Sequence, residues 1–149
     1  VSNDFGSLES NVTSFIVVND INAISGLVGW WKFDETNGTI AYDSSGYERH
    51  ANMLGFDSNQ SYWTSGKIGG SLTFDGVNDY AEVQGFYGIN GHNPRTISAW
   101  IKTDSNNSNI MGWGRSSAGK EWKLSISNGK FRTSVWSGWV YGSNAANIY

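Results

Sequence analysis

Short apolar runs alternate with clusters of Gly, Asn, Asp and Ser from residue 27 onward. A recurrence of about eight to twelve residues is typical of short antiparallel strands joined by tight turns. The composition agrees, with 19 glycines, one proline, 15% aromatic residues and only 15% charged residues. No window of helical length is rich in Ala, Glu, Lys and Leu. The sequence therefore predicts an all-β domain built as an antiparallel β-sandwich.

The apolar runs predict strands at residues 28–33, 51–54, 71–74, 80–83, 96–102, 110–114, 122–127, 130–135 and 139–142. The clearest turn is Asn128-Gly129, which predicts a two-residue type I′ hairpin because both central residues need positive φ. Alternation places Trp122, Leu124 and Ile126 on one face of their strand, where they are candidates for the core. On residues 96–102 it predicts Ile97, Ala99 and Ile101 as the buried face.

The first 26 residues differ from the rest of the chain. They contain no Trp or Tyr and are rich in Ser and Asn. We interpret residues 1–26 as a linker or a single leading strand, and residues 27–149 as the β-sandwich domain.

Charge and residue content exclude several kinds of partner. The formal net charge of −3 provides no basic field for nucleic acid. The longest apolar stretch, residues 15–18, is far too short to insert across a membrane. Cys is absent and there are only two His, so zinc is not expected.

Three stretches in order resemble the laminin-G-like jelly-roll family of the concanavalin-A-like lectin/glucanase superfamily. They are residues 27–46 (LVGWWKFDE followed by AYDSSG), residues 66–80 (GKIGGSLTFDGVNDY) and residues 95–102 (RTISAWIK). The resemblance covers roughly residues 27–142. It implies two antiparallel sheets packed face to face in a jelly roll, frequently with bound calcium.

The end of the family pattern is missing from this chain. In the family, the hairpin corresponding to residues 122–135 is followed by a segment resembling WHHVAVTY and then by a YVDG hairpin, and neither is present. The jelly roll is therefore expected to be incomplete. Its open sheet edges are then expected to pair with another copy or another protein chain.

Hard oxygen ligands gathered in turns suit Ca²⁺. The candidates are one carboxylate in the DSSG turn and three side chains in the DGVNDY turn, namely Asp43, Asp75, Asn78 and Asp79. The alternative is that these side chains only bond to neighbouring backbone groups in their turns.

Sugar binding combines aromatic rings that stack on the sugar with surrounding polar groups. The candidate ligand-binding residues are Trp100, Trp113, Arg115, Arg132, Trp136, Trp139 and Tyr141. The alternative is that the tryptophans pack within or between the sheets.

Catalysis has no support in the sequence. Glycoside hydrolysis needs two facing carboxylates, and no E-x-D-x-x-E run occurs, while Glu35, Glu82 and Glu121 are isolated.

The chain is expected to be a non-catalytic carbohydrate-binding or adhesive module, secreted or at an extracellular surface, including a virion surface. The alternatives are a structural component of a virion, filament or surface layer, and an accessory fragment of a polysaccharide-degrading enzyme.

Overall fold

The computed structural model describes residues 26–57, 61–89, 93–114 and 121–135. Its strands are β1 (Ile40–Ala41), β2 (Ala51–Leu54), β3 (Trp63–Ser65), β4 (Gly70–Leu72), β5 (Tyr80–Glu82), β6 (Asn107–Gly114), β7 (Glu121–Ser127) and β8 (Lys130–Val135). They form three antiparallel sheets, in the orders β1-β2-β5, β3-β4 and β6-β7-β8. The prediction of an all-β antiparallel fold is confirmed.

No helix occurs in the part of the chain that the structure describes, and hence none there is long and apolar enough to cross a membrane. The boundary predicted at residue 26 coincides with the first described residue. The rest of the predicted linker, residues 1–25, lies outside the described residues.

The first two sheets share a small core. Its buried members are Ala41, Ala51, Met53 and Trp63, with Trp31, Phe33, Phe56, Tyr62, Leu72 and Val83 packed against them. The polar edge of the buried indole is satisfied, because Trp63 Nε1 donates to the Gly38 carbonyl at 2.9 Å. A buried Trp without such a partner would be costly. This core therefore packs the β3-β4 sheet against the β1-β2-β5 sheet.

Two predicted strands do not form within the described residues. Over residues 28–33 only a single bridge, between Trp31 and Asp43, is present, and Phe33 at the end of this range leaves the extended region with a φ of 59°. Over residues 96–102 no strand pairing occurs. Ala99 and Ile101 are exposed there, so their assignment to a buried face is wrong.

The remaining predictions place the strands well. β2 and β8 have the predicted bounds, and β4, β5, β6 and β7 overlap theirs. The type I′ hairpin between β7 and β8 is confirmed, since Asn128 and Gly129 have φ values of 52° and 69° and Ser127 pairs with Lys130. β1 and β3, of two and three residues, were not predicted. The strand predicted over 139–142 lies outside the described residues.

Candidate functional site

The β6-β7-β8 sheet has one polar and one apolar face. Directly opposed residues of antiparallel strands project to the same side, so the register sorts the side chains. Ser125 lies opposite both Asn109 and Arg132, whereas Leu124 lies opposite Met111 and Thr133. The cross-strand pairs nearest the β7-β8 hairpin show the same division. Ser127 lies on the polar face, and Ile126, which is only 2% exposed, lies on the apolar face.

A β-bulge in β6 keeps the two faces apart. The register advances from Asn109↔Ser125 to Met111↔Leu124, which leaves Ile110 as the extra residue. Exposure changes phase at the same point: Asn107 and Asn109 are exposed before it, and Gly112 and Gly114 after it. Without the bulge, strict alternation would place Asn109 and Met111 on the same face.

The polar face contains a depression of about 390 Å³. Six of its eight lining residues project to the polar face by register and the other two, Ser108 and Ile126, to the apolar face; the six are Asn107, Asn109, Ser125, Ser127, Arg132 and Ser134. Hydroxyls, amides and one guanidinium dominate this lining, and no carboxylate belongs to it. Arg132 is half-buried there. Within the described residues, its guanidinium has neither a hydrogen-bond partner nor an ion-pair partner.

Positive charge prevails on this face. Register places Lys123, Lys130 and Arg132 on the same side as Ser125 and Ser127. Glu121 lies on that side too, and its carboxylate binds Lys123 Nζ at 2.8 Å. Lys130 and Arg132 are therefore left without a described acidic neighbour, on a chain whose formal net charge is −3.

The structure does not bring the described members of the predicted sugar site together. Trp113 lies on the apolar face, stacked on Trp122 with ring centroids 4.4 Å apart. Arg95 approaches the Trp113 ring at 5.7 Å, and Gly88 packs so closely that an added Cβ would collide with the indole. Trp113 is thus a packing residue of the sheet, and of the described candidates only Arg132 lines the depression.

The other predicted ligand-binding residues lie elsewhere. Trp100 is 72% exposed and does not belong to the depression. Arg115, Trp136, Trp139 and Tyr141 lie outside the described residues. The serines and asparagines that line the depression were not singled out from the sequence, although the alternation of Ser125 and Ser127 with apolar residues along β7 was a signal for those two serines.

The Asp43 carboxylate is saturated by donors from the chain itself. Oδ1 accepts from the Trp30 and Ser45 N–H groups, both at 2.8 Å, and Oδ2 accepts from Ser45 Oγ at 2.7 Å and the Arg49 N–H at 3.1 Å. Burial raises the pKa of the Asp43 carboxyl, but these hydrogen bonds outweigh burial, so the pKa lies below its ordinary value. Asp43 therefore holds its loop together and offers no free oxygen to a metal.

The DGVNDY turn is organised by its first carboxylate in the same way. Asp75 Oδ1 accepts from the N–H groups of Val77, Asn78 and Asp79 at 2.8 to 3.4 Å. The bond from Val77 contributes most to lowering the pKa of Asp75. Asp79 Oδ2 accepts from the Asp75 N–H at 2.9 Å, while Asp79 Oδ1 is buried with no partner among the residues that the structure describes.

The residues predicted to bind calcium are described in two turns, with Asp43 in one and Asp75, Asn78 and Asp79 in the other. In the described ranges, no group of three or more His, Cys, Asp or Glu side chains could hold a metal ion. Asp43 and Asp75 act as the turn-stabilising side chains of the alternative interpretation. Calcium at the DGVNDY turn stays a prediction from the family resemblance.

These strands, sheets and faces define an all-β domain of antiparallel sheets whose last sheet is polar on one side. Its structure is similar to the crystal structure of residues 221–444 of an S-layer domain-containing protein from Clostridium thermocellum, with a TM-score of 0.59 and 26% sequence identity. The match covers 79% of this chain and 55% of that one, so this chain spans about half the length of the solved structure. No family model and no curated protein matches the sequence.

Proposed function

We propose that this chain is a non-catalytic carbohydrate-binding module of a secreted or cell-surface protein, and that the depression on the β6-β7-β8 sheet binds the sugar. The observation that carries this proposal is the lining itself. The depression is lined by two serines of β7, two asparagines of β6 and the guanidinium of Arg132, which has no partner among the described residues. Such groups donate and accept hydrogen bonds as sugar hydroxyls do.

The cell-surface setting has separate support. The similar solved structure comes from a protein named for its S-layer domain. A fold alone does not specify a ligand, so the similarity supports the location and the depression supports the ligand.

A blocking substitution tests sugar binding at this place. Full-length chain carrying Ser127→Trp would fill the depression while leaving the apolar face intact. On a glycan array, the unaltered chain should retain a subset of oligosaccharides and the Ser127→Trp variant should retain none of them. Thr73→Trp, at an exposed position outside the depression, is the matched control and should bind as the unaltered chain does. An unaltered chain that retains no glycan contradicts the proposal.

A structural role in surface assembly is the second candidate, and one observation favours it. Residues 96–102 make no backbone hydrogen bond to any other described segment, and Trp100 and Ile101 are exposed on them. An unpaired segment with apolar side chains is a template for strand addition by another chain. Analytical ultracentrifugation should then show self-association that Ile101→Pro abolishes. If the chain stays monomeric at every concentration, assembly between copies of this chain through residues 96–102 is contradicted.

A further inference from the structure

We infer that the ligand of the β6-β7-β8 depression is an acidic saccharide whose anionic group binds the Arg132 guanidinium. This inference rests on the proposed carbohydrate-binding function. It adds the charge of the ligand and the residue that binds the charged group.

The Arg132 guanidinium has hydrogen-bond donors that no other described residue uses. An arginine side chain carries five N–H donors and a permanent positive charge. Arg132 is half-buried on the central part of β8, yet within the described residues none of its donors has an acceptor. By contrast, Arg49 donates to the Val28 carbonyl and lies against the rings of Tyr47 and Phe86. A half-buried guanidinium gains most from an acceptor that carries charge.

The surroundings of Arg132 favour a charged saccharide over a neutral one. Of the acidic residues on this face, Glu121 already binds Lys123, so no described carboxylate competes for Arg132. Lys130 lies one row away on the same side and adds positive potential. The Ser125, Ser127 and Asn109 side chains beside Arg132 are neutral and match sugar hydroxyls. A ligand with one anionic group among hydroxyls complements this arrangement.

The planar fork of the guanidinium pairs with both carboxylate and phosphate oxygens. A sugar carboxylate carries one negative charge, which the single guanidinium of the lining balances, whereas a phosphate monoester carries about 1.5 to 2 negative charges at neutral pH. The acid is therefore expected to be a sugar carboxylate, and a sugar phosphate is the alternative source of the same charge.

Calorimetric titration of the full-length chain distinguishes these ligands. The probes are trigalacturonic acid, its methyl ester as a neutral counterpart, and the galactose trisaccharide of the same linkage carrying phosphate at the same ring carbons. Trigalacturonic acid should bind at least about tenfold more tightly than its ester, as expected for a charge-assisted pair. Its affinity should fall as salt rises, and weaker binding of the phosphate would assign the preference to carboxylate.

Substitutions locate the effect. Arg132→Gln should remove the preference for the acid over its ester, and Arg132→Lys should retain part of it because the charge remains without the fork. Lys67→Ala, which removes one positive charge from an exposed turn outside the depression, should leave the preference unchanged. Since Arg132 has no described partner, its variants should keep the thermal midpoint of the unaltered chain.

The outcomes separate the two proposals. Equal affinity for trigalacturonic acid and its ester, with both lost in Ser127→Trp, overturns the acidic ligand and leaves sugar binding intact. A preference for the acid that survives in Arg132→Gln overturns the assignment to Arg132. An unaltered chain that binds neither these probes nor any glycan on the array overturns the carbohydrate-binding function itself.

Discussion

The indole rings of Trp113 and Trp122 stack across the β6-β7 pair, with centroids 4.4 Å apart and planes inclined by 20°. They are a directly opposed pair in the register. We expect Trp122→Ala to lower the free energy of unfolding by about 2–4 kcal/mol, because a large ring leaves a partly buried site. Urea denaturation measures this change. Trp100→Ala is the control and should stay within about 0.5 kcal/mol, since Trp100 is exposed.

Gly88 lies against the Trp113 indole with a φ of 69°. Gly88→Ala should destabilise the fold by about 2 kcal/mol or more, because backbone strain adds to a clash with a packed ring. Gly76→Ala separates the two effects, since Gly76 has a φ of 76° and nothing within 4 Å of an added Cβ. Equal losses in the two variants, measured by urea denaturation, would contradict close packing of Gly88 on Trp113.

The Asp43 carboxylate makes stability depend on pH. Its pKa is lowered in the folded chain relative to 3.8, so the unfolded chain binds the proton more readily. The stabilisation is therefore present above pH 3.8 and is lost as pH falls through the lower folded pKa. Asp43→Asn should cost about 1.5–3 kcal/mol at pH 7, because the hydrogen bonds lose a charged acceptor.

Unfolding curves between pH 7 and pH 2 measure this dependence, and Asp43→Asn should flatten it at the acid end. Glu82→Gln, at an exposed position, is the matched control and should leave the neutral stability within about 0.5 kcal/mol. A curve for Asp43→Asn parallel to that of the unaltered chain would show that other carboxylates determine acid unfolding.

Arg49 lies between two rings, with Cζ 4.5 Å from the Tyr47 centroid and 4.2 Å from the Phe86 centroid. Arg49→Lys should lower the unfolding free energy by about 1–2 kcal/mol, because an ammonium keeps the charge but not the planar stack. Arg132→Lys is the same change at a side chain without a described partner, and it should have no effect in thermal denaturation. Similar losses at both positions would show that the stack contributes nothing.

The parts of the fold that follow from local sequence pattern were predicted correctly. The Asn128-Gly129 turn needs only two residues with positive φ, and the faces of β7 follow from the alternation of Trp122, Leu124 and Ile126. The predictions were wrong where a strand depends on a neighbouring strand for its hydrogen bonds. Residues 96–102 have strong strand propensity, yet no described strand lies beside them to accept their hydrogen bonds. Positive φ at Phe33, a non-glycine residue, has no sequence signature.

The candidate site was predicted only in part for the same reason. Arg132 was identified from its position opposite the apolar face of β8. The asparagines of β6 were missed because their partnership with β7 depends on the bulge at Ile110, which alternation alone does not reveal. Trp113 was assigned to ligand because the sequence does not show that Trp122 and Gly88 cover its ring.

Because of the extra residue in β6, the division of its side chains between the two faces depends on the number of residues in the strand. It depends less on which side chain stands at position 110. Many residue types can occupy a bulge, but removal of one residue would restore unbroken alternation. Asn107 and Asn109 would then turn toward the apolar face, or Met111 and Trp113 toward the polar face, and the deletion of one residue would exchange the amides of the depression for packing side chains. Related domains should therefore vary freely in composition at this point while keeping its length.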